Sequence, residues 1–122
     1  MQYMCLIYDE ESTWANMPED ERNAAHAEYM TFTQAIKDSG NHVAGDALQP
    51  ISTATSVRVR NGETLVTDGP FAETKEILGG YYIVDVPTLD EALALAAKMP
   101  NIAYGSVEVR PVMVFDQEPA NA

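Results

Sequence analysis

The sequence predicts an α+β domain of the ferredoxin-like kind, a βαββαβ core with an added β-hairpin. Three observations carry that expectation. Two segments, "MCLIY" and "YYIVDV", are apolar at every alternate position on both sides, as for strands covered front and back. Helical stretches alternate with extended ones in the order β, α, β-hairpin elements, β, α, β. Asn61-Gly62 stands between two β-rich runs and specifies a tight hairpin, because both central positions need positive φ.

The first strand covers Gln2 to Tyr8, with Tyr3, Cys5 and Ile7 alternating against Met4, Leu6 and Tyr8. "DEESTWANM" reads as a loop anchored by Trp14. Pro18 suits a first helical turn, and Glu19, Asp20 and Glu21 complement the positive end of the helix dipole. Ala25, Tyr29, Phe32 and Ile36 then form one apolar stripe, and Gly40 closes a helix over Pro18 to Ser39. "HVAGDALQP" is a short extended piece. The hairpin strands cover Ser56–Arg60 and Glu63–Thr67, and the loop "DGPFAETKEILGG" leads into "YYIVDV". Thr88 and Glu91 form a capping box for a second helix that runs to about Lys98 and buries Leu89, Ala92, Leu93 and Ala96. A last strand spans Ser106 to Phe115. The domain thus occupies residues 1–115, and a flexible acidic tail covers residues 116–122.

Helices cover one face of such a sheet, while its strands are apolar on both. A second copy is the simplest cover for the other face, so a homodimer is expected.

Composition narrows the function. Nineteen acidic against 7 basic residues give a formal charge of −12, a field that repels phosphate backbones and argues against direct nucleic-acid binding. The single cysteine, Cys5, sits in an apolar run and reads as a small buried hydrophobe. Neither a signal peptide nor a membrane span is apparent, so the expected location is the cytoplasm. No nucleotide-binding, flavin-binding, serine-hydrolase or zinc motif is present, and no cofactor or metal is expected.

The stretch from Thr53 to Pro100, followed by "VEVRPV", resembles the DGPF-domain branch of the YCII-related family. Asp68-Gly69-Pro70-Phe71 is the motif that names the branch, and Gly79-Gly80 and the closing "EVRPV" accompany it. The resemblance runs from Met1 to Val114. It implies a dimeric α/β barrel of ferredoxin-like protomers. It also implies activity on ring-derived small molecules, of dehydrochlorinase or isomerase type, with a His and an Asp as the active pair. Members of this branch often occur beside extracytoplasmic-function sigma factors, so a sigma factor is an alternative partner for a non-catalytic regulatory module.

Counting back from Gly40, the position of the family histidine is Tyr29, and His26 lies one turn earlier. His26 is either a general base near neutral pH or a surface histidine on an alanine-rich face. Tyr29 is either a core residue or a phenol donor at a cleft edge. Asp68 and Glu73 are the acidic candidates. Asp68 also suits a plain turn, and Glu73 stands where simpler relatives carry an Asp. Phe71 reads as an aromatic lid or plug. Lys75 and Arg110 are candidate holders of an anionic ligand, although a solvated lysine and an Arg110–Glu108 ion pair compete. His42 reads as an ordinary loop or strand residue. The candidate catalytic set is therefore His26, Asp68 and Glu73, with Tyr29, Phe71, Lys75 and Arg110 as ligand contacts.

Overall fold

The computed structural model describes residues 1–115. The acidic tail expected over residues 116–122 lies outside them. In chain order the elements are β1 (Gln2–Asp9), α1 (Glu11–Ala15), α2 (Glu19–Asp38), β2 (His42–Ala47), β3 (Thr55–Arg60), β4 (Glu63–Asp68), β5 (Ile77–Asp85), α3 (Leu89–Ala96) and β6 (Ser106–Pro111). Four strands form an antiparallel sheet in the order β2-β5-β1-β6, and β3 and β4 form a separate two-stranded ribbon. This topology is compatible with a ferredoxin-like fold, with the ribbon inserted between the second and third core strands.

The alternation of β1 decides which face is buried. Tyr3, Cys5, Ile7 and Asp9 point into the protein, and Gln2, Met4, Leu6 and Tyr8 are half-exposed. Across the register, Cys5 faces Tyr82 and Tyr3 faces Val84, so β5 continues the same buried layer. Ile36 from α2, Ala92 from α3 and Met99 complete the core, and Tyr29 and Phe32 pack against it. The apolar stripe on α2 thus lies where its spacing puts it.

Several elements depart from expectation for clear reasons. "DEESTWANM" is not all loop, because residues 11–15 wind into α1. The Arg22 guanidinium donates to the Trp14 and Met17 carbonyls at 3.0 and 3.1 Å, which ties the end of α1 to the first turn of α2. Pro18 is the residue before α2 rather than its first turn. On α3, Ala92 and Ala96 are buried, but Leu89 and Leu93 are each 46% exposed. The two alanines set the contact line, and the leucines flank it. Strand β5 begins at Ile77 instead of Tyr81, because Tyr8 and Asp9 pair with Leu78 and Ile77 across a bulge. β6 ends at Pro111 rather than Phe115, since its partner β1 runs out there and Tyr3 already pairs with Pro111.

The hairpin forms as its turn dictates. Asn61 and Gly62 have φ of 52° and 78°, and β3 and β4 extend one residue beyond the expected limits. The Thr88 side chain accepts from the Glu91 N–H at 3.3 Å, as the capping box requires. Among the described residues, no helix is long and apolar enough to cross a membrane.

Candidate functional site

The site begins at the last residue of β1. Strand alternation carries Asp9 to the buried face, where only 6% of it is exposed. A carboxylate in such a place needs hydrogen-bond donors, and it has two. Asn101 Nδ2 donates to Oδ1 at 2.9 Å, and the Trp14 indole donates to Oδ2 at 3.4 Å. Asn101 is itself fully buried, in the 3₁₀ turn Pro100–Ala103, and also donates to the Ser106 carbonyl at 3.3 Å. Its Oδ1 has no partner among the described residues. Gly105 passes directly against Asp9. A Cβ there would overlap the Asp9 carboxylate and the Tyr8 carbonyl, so position 105 excludes a side chain.

Asp9 opens onto a cavity of about 500 Å³ between α2, the β2 edge of the sheet and α1. That volume suits a small-molecule site. One face of α2 supplies His26, Tyr29, Thr33 and Lys37, spaced so that they align along the helix. The Tyr29 phenol is held well above its usual range, first by burial and then by the nearby Asp9 charge. It therefore keeps its proton across the physiological range and can donate a hydrogen bond. Thr33 Oγ1 and Tyr82 Oη share a 2.6 Å hydrogen bond, and the Tyr82 ring packs edge-to-face with Phe32 and His42. On the β2 side, the Tyr81 hydroxyl donates to Asp46 at 2.7 Å, and that bond raises the phenol's pKa. At the mouth, the Glu11 carboxylate accepts from the Ile51 N–H at 2.7 Å and straps α1 to the turn after β2.

Of the residues singled out from sequence, His26 and Tyr29 line this cavity, and so does His42, which in sequence reads as an ordinary loop or strand residue. Asp68, Phe71, Glu73, Lys75 and Arg110 are not among its lining residues. The reason is topological, since the DGPF loop follows the ribbon and is tied to it. Gly69 donates to the Ala54 carbonyl at 2.7 Å, Ser56 to Gly69 at 2.8 Å, and Arg58 to Phe71 at 3.3 Å. Asp68 and Glu73 are exposed, and Phe71 is 76% exposed. Lys75 faces Glu10 at 3.8 Å, and Arg110 pairs with Glu108 on the outer face of the sheet.

Sequence reasoning missed Asp9, Trp14, Asn101, Lys37 and the Asp46–Tyr81 pair. Asp9 left a signal, because it continues the Tyr3, Cys5, Ile7 series and an acid on a buried face is rare without a role. Asn101 left none, standing 92 residues from its partner.

A family model for the YCII-related domain matches residues 1–116. The chain belongs to the YCII-related domain family. An uncharacterized protein of Rhizobium meliloti (strain 1021) is 36% identical over 117 residues, covering 94% of each chain. Among solved structures, this YCII-related chain is similar to the 5-chloro-2-hydroxyhydroquinone dehydrochlorinase TftG of Burkholderia phenoliruptrix AC1100, in complex with 2,5-dihydroxybenzoquinone. The TM-score is 0.51 at 13% identity, over 93% of this chain and 94% of that one. At that identity the likeness concerns the fold.

Proposed function

We propose that the cavity beside α2 binds a compact ring-derived molecule and catalyses a lyase- or isomerase-type proton transfer. The observation that carries this reading is a buried, doubly hydrogen-bonded Asp9 opening onto a cavity shared with His26 and Tyr29. Ring substrates of this kind react when a base removes a proton from a ring carbon or hydroxyl. The electron pair then enters the ring and either expels an anionic leaving group or is reprotonated at another atom. Asp9 and His26 are the groups that take and return the proton. Tyr29, kept protonated, donates a hydrogen bond to the oxygen on which negative charge develops. The ligand in the TftG structure is of the same chemical class.

The test is calorimetric titration with 2,5-dihydroxybenzoquinone, and an assay for halide release from halogenated hydroxyhydroquinones. Wild-type protein binds the quinone. Asp9→Asn reduces turnover by about 10²- to 10⁴-fold, the usual share of a positioned acid–base group, while Tyr29→Phe weakens binding and turnover less. Neither binding nor turnover in the wild type would remove this reading.

In the same reading the chain is a DGPF-branch member that works as a homodimeric α/β barrel. The half-exposed outer row of Met4, Leu6, Tyr8 and Ile83 supports a second sheet packed there. Sedimentation as a stable monomer would contradict it. One observation favours a second reading, a binding module for a protein such as a sigma factor. The ribbon exposes Val57, Val59 and Val66. Capture of a sigma factor that is lost on Val57→Asp, with no turnover by the wild type, would favour that alternative.

A further inference from the structure

We infer that the cavity is polarised along α2, with a proton-handling end at Asp9 and an anion-binding end at Lys37 and His42. Its ligand is therefore a ring carrying a carboxylate or similar anionic substituent. This rests on the proposed small-molecule site and adds a ligand class to it.

The geometry comes from the helix. From His26 to Lys37 the cavity follows about three turns of α2, roughly 16 Å at the α-helical rise. A single ring occupies only part of that length. Asp9, Trp14, His26 and Tyr29 belong to the first half, and Thr33 and Lys37 to the second. The short turn after α2 brings His42, the first residue of β2, to the Lys37 end.

The charges differ along the same line. Of the 7 Lys and Arg residues, Lys37 alone lines the cavity. The other charged groups of the wall are carboxylates, each held by neutral donors. Asp9 accepts from Asn101 and Trp14, Glu11 from the Ile51 N–H, and Asp46 from Tyr81. Five of the six remaining basic side chains are likewise engaged, with Arg58 and Arg60 donating to the Phe71 and Val59 carbonyls. Arg22 holds backbone carbonyls, Lys75 faces Glu10, and Arg110 pairs with Glu108. The Lys37 carbonyl accepts from the Gly40 N–H, but its ammonium makes no ion pair or hydrogen bond to any described residue. In a chain of net charge −12, an anionic ligand is repelled everywhere except at a local cation. Lys37 supplies that cation, and His42, which lines the same cavity, offers an imidazole N–H donor.

A matched pair of probes tests this: 2,5-dihydroxybenzoate and its uncharged primary amide, titrated by calorimetry into wild type, Lys37→Gln, Lys37→Arg and the off-site control Lys98→Gln. The wild type binds the carboxylate more tightly than the amide. Lys37→Gln weakens the carboxylate about tenfold and leaves the amide within twofold, Lys37→Arg restores the preference, and Lys98→Gln changes neither. Raising the salt narrows the wild-type gap. Equal affinity for the two probes in the wild type, or equal effects of Lys37→Gln on both, overturns the anion end while leaving the cavity reading intact. Failure of the wild type to bind either probe overturns both.

Discussion

The four-stranded sheet with α2 and the β3–β4 ribbon with its DGPF loop are neighbours in sequence and opposites in physics. In the sheet, alternate residues of β1 and β5 are buried, and the acid at the end of β1 is wrapped by Asn101, Trp14 and Gly105. In the ribbon, every residue except Ser56 is exposed, and so are Asp68, Phe71 and Glu73 beside it. The contrast separates two meanings of a motif. Asp68-Gly69-Pro70-Phe71 is conspicuous in sequence yet lies exposed beside the ribbon, while Asp9, His26 and Tyr29 gather at the cavity on strands and helices without a short signature.

The contrast can be broken or sharpened by substitution. The largest effect on stability belongs to the sheet side. Met99 is 1% exposed and sits in the core, so Met99→Ala costs about 2–5 kcal/mol, read from urea unfolding. A loss below about 1 kcal/mol would mean that this core is looser than its burial indicates.

An intermediate effect follows from pH. Burial pushes the Cys5 thiol from 9.0 up to about 11. The unfolded chain therefore releases this proton first. The stability contribution is complete below pH 9, declines as the pH rises through about 11, and is gone above it. Tyr29 acts in the same direction above its ordinary 10.0. Cys5→Ala lowers stability at neutral pH but flattens the slope between pH 9 and 11. An unchanged slope would assign it to other groups.

The smallest effect belongs to the ribbon. Val57 and Val66 are 64% and 66% exposed and pair across the hairpin, so Val57→Thr or Val66→Thr changes the stability of an isolated chain by under about 0.5 kcal/mol. A larger loss that grows with protein concentration would show that another molecule covers this ribbon.

What the sequence disclosed follows the same division. Local chemistry is written locally. Asn61-Gly62 declared its turn, Thr88 its cap, and the α2 stripe its buried side. The dipeptide that sets φ, or the hydroxyl that meets an N–H three residues on, needs no distant partner. The ends of strands were less readable, because β6 stops where β1 stops and β5 starts where Asp9 can still pair. The site was half readable. His26 stood out by residue type and Tyr29 by standing where the family resemblance places a histidine, and both line the cavity. Asp9 was hidden in plain alternation. Asn101 was beyond reach, since its importance exists only once the two ends of the chain meet. Lys75 and Arg110 drew attention as rare cations, but each lies beside a carboxylate, at Glu10 and Glu108, while Lys37 faces the cavity.

The bond between Asn101 and Asp9 spans 92 residues and has a kinetic consequence. β1 is made first, yet its neighbours in the sheet, β5 and β6, both come from the second half of the chain. During synthesis β1 must wait unpaired until residues 77–85 have emerged, and for its second neighbour until residue 111, and closing such long loops slows folding. The acid at its tip is sheathed last. A nascent or truncated chain that lacks the turn around Asn101 therefore lacks the bond that holds Asp9, and the wall of the cavity is complete only when the domain is whole.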